Sequence, residues 1–154
     1  MTLQMKENKI VEFLKNKIST SSSNELLMNS IRPLKSYSFT IALDGSGLQV
    51  QQLKCFVLEW EHFQKIVEKA NQLGGIMYRG DNLPQNGAKL GKEISHDCME
   101  GFIAGELLYQ KDGTSVTRRS TYYSGILAWA GIVTLHKDEG NGSYITVNQE
   151  FRNI

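Results

Sequence analysis

Residues 114–148 read TSVTRRSTYYSGILAWAGIVTLHKDEGNGSYITVN, and this stretch decides the fold. Tyr122, Ile126, Trp129 and Ala130 recur at helical spacing, so a helix runs here. Thr117 or Ser120 can cap its start. Gly131 breaks it. Ile132 to Leu135 reads as a strand, Asp138 to Gly142 as a turn and Tyr144 to Val147 as the returning strand. Ile126, Trp129 and Val133 are core positions, and at least one of Tyr122 and Tyr123 faces inward.

Upstream, residues 95–110 form the preceding helix, with Ser95 as N-cap and Met99, Phe102, Ile103 and Leu107 on its apolar face. Gly80 to Gly91 is rich in Gly, Asn and Asp and reads as an exposed loop, after a short strand from Ile76 to Arg79. Residues 58–73 are an amphipathic helix (Trp60, Phe63, Ile66, Val67, Ala70) stopped by Gly74-Gly75. Residues 37–53 change period. Tyr37, Phe39, Ile41 and Leu43 alternate with polar or small residues, Asp44-Gly45-Ser46-Gly47 turns the chain, and Leu48, Val50 and Gln52 return, so this is a β-hairpin. Near the start, Ile10, Val11, Leu14 and Ile18 mark a helix over 5–18. Asn24 caps a second short helix from Glu25 that Pro33 ends. The fold class is α+β, with a helical segment at 1–36 and an α+β domain at 37–154.

The run AWAGIVTLH at 128–136 and GSYITV at 142–147 resembles the leucine–x–x–x–Gly–Ile/Val junction that joins the recognition helix to the wing in winged-helix proteins. The resemblance covers 93–150, with the helix near Ser95 as the supporting helix. The stretch from Trp60 through Arg79 into GKEISHDCMEGFIAGELLYQKDGTSVTRRSTYYSGILAWAGI also resembles DNA-recognition domains attached to bacterial restriction and defence enzymes. Lys111 to Thr117 is a short link for a complete three-helix core.

What the resemblance implies is double-stranded DNA as partner. A helix fits the major groove, and the free N–H groups of its first turn attract phosphate. That turn carries Arg118, Arg119, Ser120, Thr121 and Tyr123, types that bond guanine edges or phosphate oxygens. Lys137 and Asn141 fall at the wing. Apart from the resemblance, Arg79, Lys89 and Lys92, with Tyr78, read either as an ordinary exposed loop or as a second basic and aromatic patch able to contact phosphate or stack on an unpaired base.

The bulk properties constrain this reading. The chain has 154 residues and a formal net charge of +1, with 17 Lys and Arg against 16 Asp and Glu, so any phosphate contact comes from local clustering. Cys55 and Cys98 form no zinc pattern and read as buried free thiols. No stretch is long and apolar enough to cross a bilayer, and no signal peptide is visible, so the cytoplasm is the expected compartment. No cofactor or metal is expected. Glu100 and Glu106 read as surface carboxylates, and His62, His96 and His136 are widely separated in sequence.

The reading is a DNA-binding module, not an enzyme on its own, for target recognition in a restriction or defence system or for transcription regulation. One alternative is a protein–protein interaction module with a partner protein. A second is a small Mg-dependent nuclease using Asp44, Gln52 and Lys54.

Overall fold

A computed structural model of the chain describes residues 8–21, 26–29, 36–51, 53, 55–81, 87–138 and 142–153. Helix α1 spans Lys9–Ser19 and buries Ile10, Val11 and Leu14, the apolar face its spacing predicts. Asn8 precedes it without a side-chain cap. The buried amide of Gln64 takes that role instead: its Oε1 accepts the Ile10 N–H at 2.8 Å and lies 3.4 Å from the Val11 nitrogen.

The short helix expected from Glu25 is not formed. Leu26–Asn29 is strand β1, paired antiparallel with β2 (Ser36–Ile41), Leu26 opposite Phe39. A helix of one or two turns closes few internal hydrogen bonds, whereas the edge of β2 offers a ready ladder. The segment 1–36 is therefore not wholly helical. The hairpin reading holds, with β3 at Gly47–Val50. At its tip Asp44 Oδ1 accepts the Ser46 N–H (3.0 Å) and hydroxyl (2.7 Å), an Asx-type turn. Gly47 lies against the Leu58 backbone where a Cβ has no room. Strand β4 (Leu58–Glu59) completes a first sheet in the order β1-β2-β3-β4.

Helix α2 (Trp60–Gln72) follows directly, burying Phe63, Ile66, Val67 and Ala70. It stops at Gly74 and Gly75, both at positive φ, with the Gly75 N–H on the Ala70 carbonyl at 2.7 Å. Strand β5 is Ile76–Tyr78.

The next helix is shorter than its sequence pattern. Ser95 is not its cap: the Ser95 hydroxyl oxygen accepts the Asp97 N–H at 3.1 Å inside a turn, and α3 begins at Met99. It runs Met99–Phe102 and widens into a π-turn over Ile103–Leu107. Gly101 and Gly105 let the Ser95 turn pack on the helix: a Cβ on Gly101 would strike the Ser95 carbonyl, and one on Gly105 would press on the His96 ring at 3.1 Å. The predicted apolar face is nonetheless buried.

Helix α4 (Ser120–Trp129) leads into β6 (Val133–Asp138) and β7 (Gly142–Val147). The second sheet has the order β5-β7-β6, all antiparallel. Met77, Val133, Ile145 and Val147 face inward and join Ile10, Leu14, Phe39, Phe63, Tyr123 and Ile126 in one core. The architecture is α+β, with four α-helices and two antiparallel sheets among the described residues. No described helix is long and apolar enough to cross a membrane.

Candidate nucleic-acid interface

Arg119 occupies the cap position of α4 and makes no side-chain cap, and neither Thr117 nor Ser120 supplies one. One oxygen of Glu100, carried by α3, accepts the N–H groups of Arg119 (2.8 Å) and Ser120 (2.9 Å). Glu100 is 2% exposed, which corrects its reading as a surface carboxylate. Burial raises its pKa, against the downward pull of those N–H groups and of Arg118. A carboxylate already holds the N–H groups that the sequence reading assigned to phosphate.

The junction after β5 ties this helix to the second sheet. The buried Arg79 donates from Nη2 to Thr121 Oγ1 at 2.7 Å, and its backbone N–H reaches the Ser143 carbonyl at 2.9 Å. The Glu100 N–H donates to the Arg79 carbonyl at 3.1 Å. Asp81 Oδ1 accepts the Ser143 N–H at 2.7 Å, and its other oxygen lies 4.0 Å from Arg79. Burial alone would raise the Asp81 pKa; the Ser143 bonds and Arg79 outweigh it and hold the carboxyl below its ordinary value. Gly80 sits at φ +83°, and a Cβ there would lie 2.9 Å from Cys98 Sγ. Its carbonyl accepts from Arg118 Nη1 at 3.1 Å.

Several expected contact residues are not on the surface. Tyr123 and Ser120 are fully buried and Arg79 is 5% exposed. Tyr123 packs on Phe63, with ring centroids 5.1 Å apart, and its hydroxyl meets His62 Nδ1 at 3.0 Å. The outward side of α4 is covered by the first sheet: Tyr122 meets Tyr37 edge-on at 5.4 Å, and Trp129 meets Phe39 at 5.2 Å. Arg119 lies over the Phe56 ring at 4.5 Å, and Thr121 is half-buried on Arg79. The helix expected to enter a groove is thus enclosed by α2, β1, β2 and β6.

No matching family model, curated protein or solved structure was found for this chain.

What the fold does bring together is the end of the second sheet where β5 and β6 finish and β7 begins. Lys137 is exposed there, paired in register with Ser143, whose N–H is held by Asp81. Arg118, bonded to Gly80, approaches the same end. Lys89 bridges to Ser115, three residues before Arg118, and its Nζ donates to that hydroxyl at 3.4 Å. Lys92 is exposed in the turn that follows Leu90. Asn141 lies outside the described residues.

Sequence reasoning missed one feature at this end. Tyr78, Tyr144 and His136 stand opposite one another across the three strands. The strand alternation was readable, but the register that lines up the rings was not.

Asp44 is fully exposed with its carboxylate engaged by Ser46, which lowers its pKa, and Gln52 and Lys54 lie outside the described residues. His96 Nε2 is 2.7 Å from Asp112, while Asp97 pairs with Lys69 at 3.1 Å. Cys55 is exposed, not buried, and Cys98 is half-buried, which raises its thiol pKa.

Proposed function

We propose that this chain is a DNA-binding module built on a winged-helix-like unit from α2 to β7. It grips the phosphate backbone at the wing end of the second sheet instead of inserting α4 into a groove. The order helix, strand, helix, helix, strand, strand, with the first strand beside the last, supports the winged-helix reading. In that reading β6 and β7 are the wing and α4 takes the recognition helix's place. The observation that carries the function is the approach of Arg118 and Lys137 to one end of this sheet. With α4 enclosed, the contact is to phosphates and carries little base readout of its own. Such a module suits the target-recognition part of a restriction or defence system, or a small regulator of transcription.

The test is a salt titration of binding to a randomised duplex pool, comparing the wild type with Arg118→Ala/Lys137→Ala. Each lost phosphate contact flattens the log–log salt slope by about 0.9, so the double variant flattens it by about 2. Salt-insensitive binding, or none at low salt, defeats the proposal.

A protein–protein module is the second reading. Leu43 and Ile41, at 105% and 51% exposure, project from the tip of the first hairpin. If the duplex is not bound, substituting Leu43 with Ser and following loss of a captured partner tests this reading.

A further inference from the structure

A cavity of about 340 Å³ lies between α2 and α3, at the low end of the range for small-molecule sites. Lys65, Glu68, Lys69 and Gln72 line one wall and fall on a single stripe of α2 by helical spacing. Phe102, at the end of α3, and Glu106, in the π-turn that follows, form the other. Phe102 is 8% exposed, so the cavity has an apolar floor beneath charged walls.

The charged lining groups come as two ammonium and two carboxylate groups. Three of them are held from behind the lining. Lys69 Nζ is 3.1 Å from Asp97, in the turn before α3. Glu68 Oε2 accepts from Gln64 Nε2 at 3.1 Å, and the oxygen of that buried amide is the cap of α1 at Ile10. Lys65 Nζ lies 3.7 Å from Glu61, a looser contact. The Glu106 carboxylate, by contrast, forms no ion pair with either lysine among the described residues. It is carried by a π-turn, a deformation that recurs at functional sites.

A ligand of one charge meets repulsion in this cavity. A phosphate would face Glu68 and Glu106, and a polyamine would face Lys65 and Lys69. A small molecule that carries both signs on an apolar body matches the two lysines, the two carboxylates and the Phe102 floor together. That combination describes a free α-amino acid with an apolar side chain.

We propose that this cavity binds a free apolar α-amino acid, with its ammonium on Glu106, its carboxylate on Lys65 and its side chain over Phe102. Lys69 and Glu68, oriented from behind, complete the charge match. The site shares no residue with the Arg118 and Lys137 end of the second sheet and does not depend on the nucleic-acid reading.

The experiment follows backbone amide NMR shifts of the isotope-labelled protein during titration with three probes. They are L-phenylalanine, N-acetyl-L-phenylalanine, which lacks the ammonium, and L-phenylalaninamide, which lacks the carboxylate. The wild type should bind phenylalanine saturably at millimolar concentration or below, with shifts centred on α2 and the π-turn. Each derivative should bind about tenfold more weakly, because each deletes one charge-assisted contact. Glu106→Gln should weaken phenylalanine binding about tenfold and remove the discrimination against N-acetylation; Lys65→Met should do the same for amidation. Glu106 is exposed and Lys65 half-exposed, so neither change touches the core, and unshifted resonances elsewhere verify the fold. Absence of a saturable shift with phenylalanine overturns the proposal. Equal binding of the three probes, or affinity unchanged in Glu106→Gln, leaves apolar contact without charge recognition and also overturns it. Shifts centred on another face assign the binding there, with the same consequence.

Discussion

Glu100 in α3 caps α4 from outside, one carboxylate oxygen accepting the N–H groups of Arg119 and Ser120 at 2.8 and 2.9 Å. Removing that oxygen strands one buried and one half-buried donor. Glu100→Ala should therefore cost about 2–3 kcal/mol in urea unfolding, and Glu100→Gln, which keeps an acceptor, about 1 kcal/mol. The pH dependence has a definite sign. Burial raises the folded pKa above the ordinary 4.5, so the native state holds this proton more tightly than the unfolded chain. The stability of the wild type relative to Glu100→Gln should fall as pH rises from 4.5, and level off above the raised folded value. A difference that grows with pH in that window contradicts the buried geometry.

Gly80 is required twice, by its φ of +83° and by its approach to Cys98. Gly80→Ala should destabilise by about 1–3 kcal/mol. Adding Cys98→Ala removes the sulfur but not the backbone strain, so the double variant should recover part of the loss and no more. Simple additivity in thermal unfolding would show that the two residues do not press on each other.

What could be read from sequence depended on how far the deciding partner lay along the chain. The β2–β3 and β6–β7 hairpins and α2 were legible because period and turn residues are local signals. Strand β1 was not: Leu26, Leu27 and Met28 favour a helix by propensity, and only the later β2 makes them a strand. The caps from Gln64 and Glu100 were equally hidden, lying 54 and 20 residues from Ile10 and Ser120. The same holds for the candidate site. Arg118 and Lys137 stood out as cations, but their approach to one end depends on register and on the Gly80 contact. The enclosure of α4 follows from β1 and β2 lying against it, which a helical reading of 25–32 excluded.

Tyr123 tests whether α4 is enclosed in solution. Its hydroxyl meets His62 Nδ1 at 3.0 Å within the core. Tyr123→Phe should cost about 1 kcal/mol of stability and leave duplex affinity unchanged. A variant of normal stability with lost affinity would show that the ring reaches the nucleic acid.

His62 itself sets an acid limit. Its pKa is lowered from 6.5 chiefly by burial, which Glu59 only partly offsets. The unfolded chain takes up this proton before the native state does. The histidine's contribution is present above 6.5 and is lost as pH falls toward the lowered folded value. His62→Gln should remove that slope from the stability profile; an unchanged slope assigns the acid sensitivity elsewhere.

Lys137 and Arg119 should behave differently although both were expected to touch DNA. Lys137 is exposed at the β6–β7 end of the second sheet, so on the proposed function Lys137→Ala should leave stability unchanged and flatten the salt slope by about 1. Arg119 is half-buried, with its guanidinium over Phe56 at 4.5 Å, and a cation over a ring is worth about 0.5–2 kcal/mol. Arg119→Ala should lower stability on that scale with little effect on the salt slope, whereas Arg119→Lys should recover part of the loss by restoring a cation above the ring. Chemical denaturation and the salt titration, run on the same preparations, separate the two roles. If Arg119→Ala flattens the slope as much as Lys137→Ala does, the start of α4 meets phosphate despite its carboxylate cap.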